Sequence, residues 1–364
     1  MTKNAIADRL FGQLSTHFHS LDSMDLQVIE GIRASGPGNI TAIARVLGVA
    51  PSTVSRRLDN LSDSLHLQTM TNLAYDKLGM KRAVLAIEPA PEDENEAMRR
   101  ALAMGYHFQS YKILGSLGHL VGFKIPDRLY STYESMLLGL KNLYSIRSIS
   151  IHPLGNIVGV GPSFKGYDAE KKKWLLGWKD LKKKLTEAEP LVIKDPENYS
   201  IGVDQLDILI LFSLESNART SLSEIADNAG VSIPTISERV KKLTNRGLIL
   251  SYVCNLLLFP GEDSRLLQLM LSFPSERETS RFASGLLETP FLLSFQKEIG
   301  RNTLFVRAYV PNNDYPAFSG LLNDLARDGI LTEFSIIELD VESEQTTRIS
   351  PELFDPQTHW KMTI

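Results

Sequence analysis

The chain has 364 residues, 43% hydrophobic and 23% charged, with a net charge of −4, a length beyond what one core usually supports, so several domains are expected. Its single cysteine, Cys254, excludes an intrachain disulfide and a cysteine-based zinc centre. No apolar run is long enough to span a bilayer, and MTKNAIADRLFGQL lacks a signal-peptide pattern, so a cytoplasmic protein with no membrane partner is expected.

Residues 1–22 are predicted as an N-terminal helix, with Ile6, Leu10, Leu14 and Phe18 on one stripe. Over 23–78 the spacing predicts three helices and a strand. Leu26, Ile29 and Ile32 line the first helix. Ile40, Ile43, Ala44 and Leu47 line the second, which Gly48 ends as a residue free to adopt positive φ. The third begins near Pro51, buries Val54, Leu58 and Leu61, and turns Ser52, Arg56 and Asn60 outward. GVAPSTVSRRLDNL, at 48–61, is thus a helix-turn-helix phrase. Leu65–Leu73 fits a wing hairpin or a connecting strand.

Over 79–165 strand and helix alternate: strand 82–89, helix 92–104, strands 107–114 and 119–126, helix 129–144, strand 147–153. That order, βαββαβ, is ferredoxin-like, with helices on one sheet face and a second such sheet as the natural cover of the other. Residues 166–200 are a basic linker. Trp174, Trp178, Leu181 and Leu185 form one helical stripe there, and residues 171–184 hold seven lysines and one acid. A connecting helix packed by its tryptophan face accounts for this pattern, and phosphate contact by its lysines or a membrane-surface helix are the other readings.

From 201 the sequence repeats itself. GVSIPTISERVKKL, at 230–243, registers on 48–61 without a gap, and Asp25, Ile43 and Ala44 fall on Asp207, Ile225 and Ala226. Arg82 and Arg265 open similar apolar runs, and Gly115, Val121, Pro126 and Tyr130 fall on Gly300, Val306, Pro311 and Tyr315. Residues 201–260 are therefore a second helix-turn-helix unit, whose strand-like end is 247–258. Residues 261–345 are a second ferredoxin-like unit, with strands 265–273, 291–298, 303–310 and 332–340 and helices 275–288 and 315–328. The tail, 346–364, is expected to dock through Phe354 and Trp360.

These residues resemble the leucine-responsive (Lrp/AsnC) transcription regulators. LDILILFSLESNARTSLSEIADNAGVSIPTISERVKKLTNRGLILSY, at 206–252, is similar to that family's DNA-binding domain throughout. DKLGM at 76–80 resembles its junction with the effector domain, and ILGSLGHLVGFKIPD and EIGRNTLFVRAYVPN resemble its β2–turn–β3 signature. The resemblance implies an α+β fold of two winged helix-turn-helix domains alternating with two ferredoxin-like βαββαβ domains. It departs from the family in carrying two units in one chain. Its turns GSLGHL and GRNTLF also lack the acidic residue usual there.

The implied partners are double-stranded DNA and a small-molecule effector such as an amino acid, with a homodimer or an intrachain pseudo-dimer as the assembly. The DNA-facing candidates are Ser52, Thr53, Ser55, Arg56, Arg57 and Asn60 in the first copy. In the second they are Pro234, Thr235, Ser237, Glu238, Arg239, Lys241 and Lys242. Arg57 and Arg239 lie nearer the buried stripe and reach either phosphate or an internal partner. The copies differ at Arg56/Glu238 and Asp59/Lys241, so their half-sites are expected to differ. The effector candidates are Gly115, Gly118, His119, Gly300, Asn302 and Thr303. No phosphate loop, GxSxG or HExxH motif occurs, and no catalytic residue, metal ligand or cofactor is assigned. A siroheme-decarboxylase-like enzyme on the same architecture, with Lys112, Lys124, Arg147 or His119 facing a polycarboxylate, is the catalytic alternative. A scaffold that binds no DNA is the third reading.

Overall fold

A computed structural model describes residues 21–64, 67–160, 167–171, 173–175, 177–199, 201–255 and 264–363. The N-terminal helix expected over 1–22 lies almost wholly outside them. The first trihelical head comprises α1 (Ser23–Ser35), α2 (Ile40–Leu47) and α3 (Pro51–Ser64), followed by strand β1 (Gln68–Leu73). The first ferredoxin-like unit runs β2 (Met80–Pro89), α4 (Glu94–Ala103), β3 (His107–Ile113), β4 (His119–Pro126), α5 (Tyr130–Leu138) and β5 (Ile146–Leu154). The linker holds β6 (Val158–Val160), β7 (Tyr167–Asp168), β8 (Lys173–Trp174) and α6 (Trp178–Glu187). The second head is α7 (Gln205–Ser216), α8 (Leu222–Ala229) and α9 (Ile233–Asn245), with β9 (Ile249–Asn255) after it. The second unit is β10 (Ser264–Ser272), α10 (Glu276–Leu286), β11 (Leu292–Lys297), β12 (Thr303–Pro311), α11 (Tyr315–Arg327) and β13 (Glu333–Thr346). The tail adds β14 (Phe354–Asp355) and β15 (His359–Trp360).

Each ferredoxin-like unit orders its strands fourth-first-third-second, and the two halves join as β5-β2-β4-β3-β13-β10-β12-β11-β6. Along that order β5 and β12 are separated by six spacings, about 29 Å in a flat sheet. Yet the rings of His152 on β5 and Phe305 on β12 lie 5.0 Å apart. The sheet is therefore folded over on itself, so that the two halves face each other. Val84, Tyr111, Leu120 and Leu154 from one half share a buried cluster with Leu266, Phe305, Tyr309 and Leu339 from the other. The expected covering of one sheet by the other is thus made within a single chain. Both edges are stitched. Leu339 and Asp340 of β13 pair with Ile113 and Lys112 of β3, and β6 pairs with β11.

The chain also exchanges its parts. The strands after the heads form no wing hairpin among the described residues. Instead β1 pairs with β9, Thr71 opposite Tyr252, which leaves a connecting strand as the correct one of the two expected forms. Head one packs α1 on β9, and head two packs α7 on β1. One continuous core joins head one to the second ferredoxin-like unit, through residues such as Ile29, Leu58, Leu267 and Val306. The other joins head two to the first unit, through Ile208, Leu211, Leu85 and Phe123. Chain connectivity and packing therefore run crosswise, and the two copies cannot separate as independent halves.

The arms after β5 and β13 cross in the same sense. The linker helix is shorter than its stripe suggested, because Trp174 lies in the β7–β8 hairpin. Its buried Leu181 and Leu185 pack on α10 and α11 of the second unit, while Lys179, Lys183 and Lys184 face solvent. The tail docks on the first unit, as expected for Phe354 and Trp360, both buried. The Trp360 indole donates to the Leu78 carbonyl at 2.6 Å and stacks on Phe212 of head two at 5.9 Å.

Candidate nucleic-acid interface

Each head is set by one device used twice. Asp22 caps α1: its carboxylate accepts from the Asp25 N–H at 2.9 Å, and the Asp25 carboxylate accepts from the Asp22 N–H at 3.1 Å. Asp204 and Asp207 do the same for α7 at 2.9 and 3.3 Å. The recognition helix then locks onto that cap. Arg57 Nη1 lies 2.9 Å from Asp22 and 2.6 Å from Asp25. Arg239 Nη1 meets Asp204, and Asp207 at 2.9 Å. Burial pushes the Asp22 and Asp204 carboxyls up, but the capped backbone N–H groups and the arginines outweigh it and hold both below the usual range. Arg57 and Arg239, expected among the DNA contacts, are thus taken up internally. The capping aspartates Asp22 and Asp204 were not singled out from the sequence, although each stands three residues before an acid, as a capping box requires.

The rest of the expected face is where the spacing put it. Gly48 and Gly230 end the second helices at φ 67° and 66°, in the left-handed region. Ser52, Arg56 and Asn60 are exposed on α3, with Thr53 and Ser55 half-buried beside them. On α9, Pro234, Ser237, Glu238, Lys241 and Lys242 are exposed, and the half-buried Thr235 hydroxyl lies 2.8 Å from that of Ser232, the N-cap. Both helices therefore present polar N-terminal halves whose chemistry differs, Arg56 against Glu238. The heads touch at the C-terminal half of α3. Arg219, in the α7–α8 turn, donates to the Ser62 hydroxyl at 2.9 Å and pairs with Asp59. Lys241 replaces Asp59 in the second copy and Pro37 replaces Arg219 in the first, so the pair has no equivalent there.

The two turns expected to hold an effector are unlike each other. Gly115 and Gly300 adopt φ 78° and 75°, as tight turns require. Beside the first, the Gly118 N–H donates to the Ser116 hydroxyl at 3.0 Å, and the buried His119 Nε2 sits 3.0 Å from Glu94. Burial lowers the His119 pKa, with Glu94 opposing. At the second turn, Asp195 of the linker accepts from the Gly300 N–H at 2.9 Å and pairs with Lys297 at 3.0 Å. The Asn302 carbonyl accepts from the Phe273 N–H at 2.9 Å, and the Thr303 hydroxyl lies 3.3 Å from that of Ser272.

A polar seam joining head two to the first ferredoxin-like unit was only partly foreseen. Lys124 Nζ donates to Glu215 of α7 at 2.8 Å and to the Tyr75 hydroxyl at 2.6 Å, and that hydroxyl lies 2.6 Å from both Glu215 oxygens. Burial lowers the Lys124 pKa to about 8, with Glu215 opposing. Burial raises the Glu215 carboxyl, but Lys124, Tyr75 and Arg82 outweigh it and hold it below its usual value. Burial and Glu215 push the Tyr75 phenol well up. A lysine in the apolar strand HLVGFKIP was the available signal for Lys124. Nothing in the helical pattern marks Glu215.

The winged helix-turn-helix DNA-binding family profile matches residues 203–249, the second head. An uncharacterized HTH-type transcriptional regulator of Pyrococcus furiosus is 28% identical over 129 residues, covering 35% of this chain and 82% of its own. The HTH-type transcriptional regulator LrpA of Mycobacterium tuberculosis is 34% identical over 51 residues, 14% of this chain and 34% of its own. The siroheme decarboxylase NirDL matches in structure with a TM-score of 0.57 and 10% identity, covering 90% of this chain and 95% of that one, a likeness of fold. The chain is thus similar to HTH-type transcriptional regulators, most plainly over its second head, and its own fold alternates two helix-turn-helix heads with two ferredoxin-like domains.

Proposed function

We propose that this chain is a sequence-specific transcription regulator that sets two unlike recognition helices, α3 and α9, on one DNA duplex. The observation that carries the reading is the pairing of conserved construction with divergent surface within the two copies. Both helices are clamped by the same Arg–Asp–Asp device, and both leave their N-terminal halves exposed. A recognition helix reads base edges from that half, while arginine and lysine at its flanks anchor phosphates. Ser52, Thr53, Arg56 and Asn60 serve the first half-site. Pro234, Thr235, Ser237, Lys241 and Lys242 serve the second, with Glu238 selecting for a cytosine amino group. The folded double sheet acts as an intrachain pseudo-dimer, the role that a second subunit plays in a symmetric regulator.

A small-molecule effector belongs with this reading at the first turn, Gly115–His119, since the chain's own Asp195 fills the second. The enzymatic alternative draws on the likeness of fold to a siroheme decarboxylase, and one experiment separates the two. Binding to a pool of duplexes is measured against salt. The regulator weakens steeply as salt rises, because each neutralised phosphate releases counterions. Salt-independent or absent duplex binding, with an absorbance change on adding a tetrapyrrole, overturns the regulator and favours the enzyme.

A further inference from the structure

Arg82 lies on β2 with its side chain toward the facing sheet, and it is only 6% exposed. Its Nε is sealed from solvent without an acceptor. No hydrogen bond or ion pair to a described residue holds its guanidinium, which sits over the rings of Tyr75 at 5.4 Å and Phe108 at 5.0 Å. Lys124, its ladder partner on β4, is equally buried and lies over the same rings at 4.2 and 4.8 Å. One carboxylate, Glu215, answers these two cations. A guanidinium this buried, with its Nε unmet, is costly unless an anion meets it.

The fold does not demand this charge. Both third strands end on a proline, Pro126 and Pro311, and the ladders place Met80 and Ser264 opposite them. Counted from there, Lys124 is equivalent to Tyr309, and Arg82 to Leu266. This register also moves Arg82 one place from the Arg265 with which the sequence repeat aligned it. The second copy builds the same sheet with an apolar residue and a phenol where the first has two cations.

We propose that Arg82 and Lys124 form a binding site for a small-molecule oxyanion, a carboxylate or a phosphate, at the junction of the first ferredoxin-like domain with head two. The guanidinium offers a fork of donors suited to either group, and the ammonium a third point. The bound oxyanion competes with Glu215 for Lys124. Since Glu215 stands on α7, the first helix of head two, occupancy loosens that head from its domain. This coupling rests on the DNA-reading proposal above; the binding itself does not.

The test uses the full chain at pH 7 and fixed ionic strength, with sodium phosphate, sodium acetate and, as reference, sodium chloride. Thermal midpoints are measured first. Phosphate or acetate raises the midpoint above chloride in a concentration-dependent way, and the more effective salt tells the tetrahedral from the planar ligand. Arg82→Met weakens that response about 10- to 100-fold, the effect of losing a charge-assisted contact. Lys124→Met, which reads the same site should Arg82→Met fail to fold, weakens it likewise. Equal midpoints in all three salts, or an undiminished response in either folded variant, overturn the site. Duplex affinity is then measured in the same salts. An anion-dependent change that Arg82→Met abolishes supports the coupling, and an unchanged affinity overturns the coupling alone. A thermal response from a chain that binds no duplex overturns the DNA reading and leaves the site standing.

Discussion

Lys124 and Glu215 meet at 2.8 Å across the boundary between a ferredoxin-like domain and the helix-turn-helix head of the other copy. Their distance in sequence, and their origin in different repeats, make this ion pair a direct consequence of the exchange. It fastens α7 to β4, beside the hydrogen bond between Trp360 and Leu78.

That burial gives the seam a pH signature. Lys124 titrates near 8 when folded, against 10.5 as an unperturbed lysine. Below pH 8 both folded and unfolded chains hold the proton. Between 8 and 10.5 the unfolded chain binds more protons, so this group makes stability rise with pH. Above pH 10 Tyr75 acts oppositely, because its folded pKa is raised and the unfolded phenol ionises first. From pH 8 to 10, urea unfolding is expected to show a gain on the order of 1 kcal/mol that Lys124→Met lacks. A wild type with the same slope as the variant would contradict this assignment.

The arginine clamps predict stability effects at positions that a DNA-contact reading would assign to recognition. Arg57→Ala and Arg239→Ala should each cost about 1 kcal/mol, because the pairs are partly exposed. The second is expected to be the worse, since it strips Asp207, whose side chain is 7% exposed, of its partner. Urea midpoints give the cost, and duplex binding well below the unfolding transition should keep its sequence preference. A loss of preference without a loss of stability would return both arginines to the interface.

The linker helix makes a paired prediction from two glycines. A Cβ on Gly285 of α10 would lie 2.5 Å from the Lys184 carbonyl oxygen and 2.6 Å from the Leu185 Cα. Gly285→Ala must push α6 away and should cost about 1–3 kcal/mol. Gly320, inside α11, has nothing within 4 Å of the same position. Gly320→Ala should stabilise the chain by about 0.5–1 kcal/mol through helix propensity. Thermal unfolding of both variants would show opposite signs.

Much of this architecture was legible in the sequence because its signals are local. β4 and the other core strands fell within a residue or two of their predicted ends, since alternation and flanking turns fix them, except that β13 runs six residues past 340 to Thr346, where it pairs with β3. The helix-turn-helix glycines Gly48 and Gly230 were legible for the same reason. The pairing of β1 with β9 was not, because a strand's partner is chosen by tertiary contacts that its own residues do not encode. The β7–β8 hairpin overrode a good helical stripe at Trp174. Arg57 and Arg239 were ambiguous because a position beside the buried stripe can turn to either side. Glu215 gave no signal, as its meeting with Lys124 depends on the exchange of heads between copies.

On the proposed function, two unlike recognition helices of one chain occupy two half-sites together. Footprinting on a duplex selected from a random pool, with the wild type, Arg56→Ala and Glu238→Ala, tests it most directly. One chain per duplex should protect two adjacent major-groove segments of different sequence. Arg56→Ala should weaken contact at one segment by about 1–3 kcal/mol, and Glu238→Ala should relax base preference at the other. A palindromic site held by two chains, each through the same helix, would rule out joint docking of the two helices.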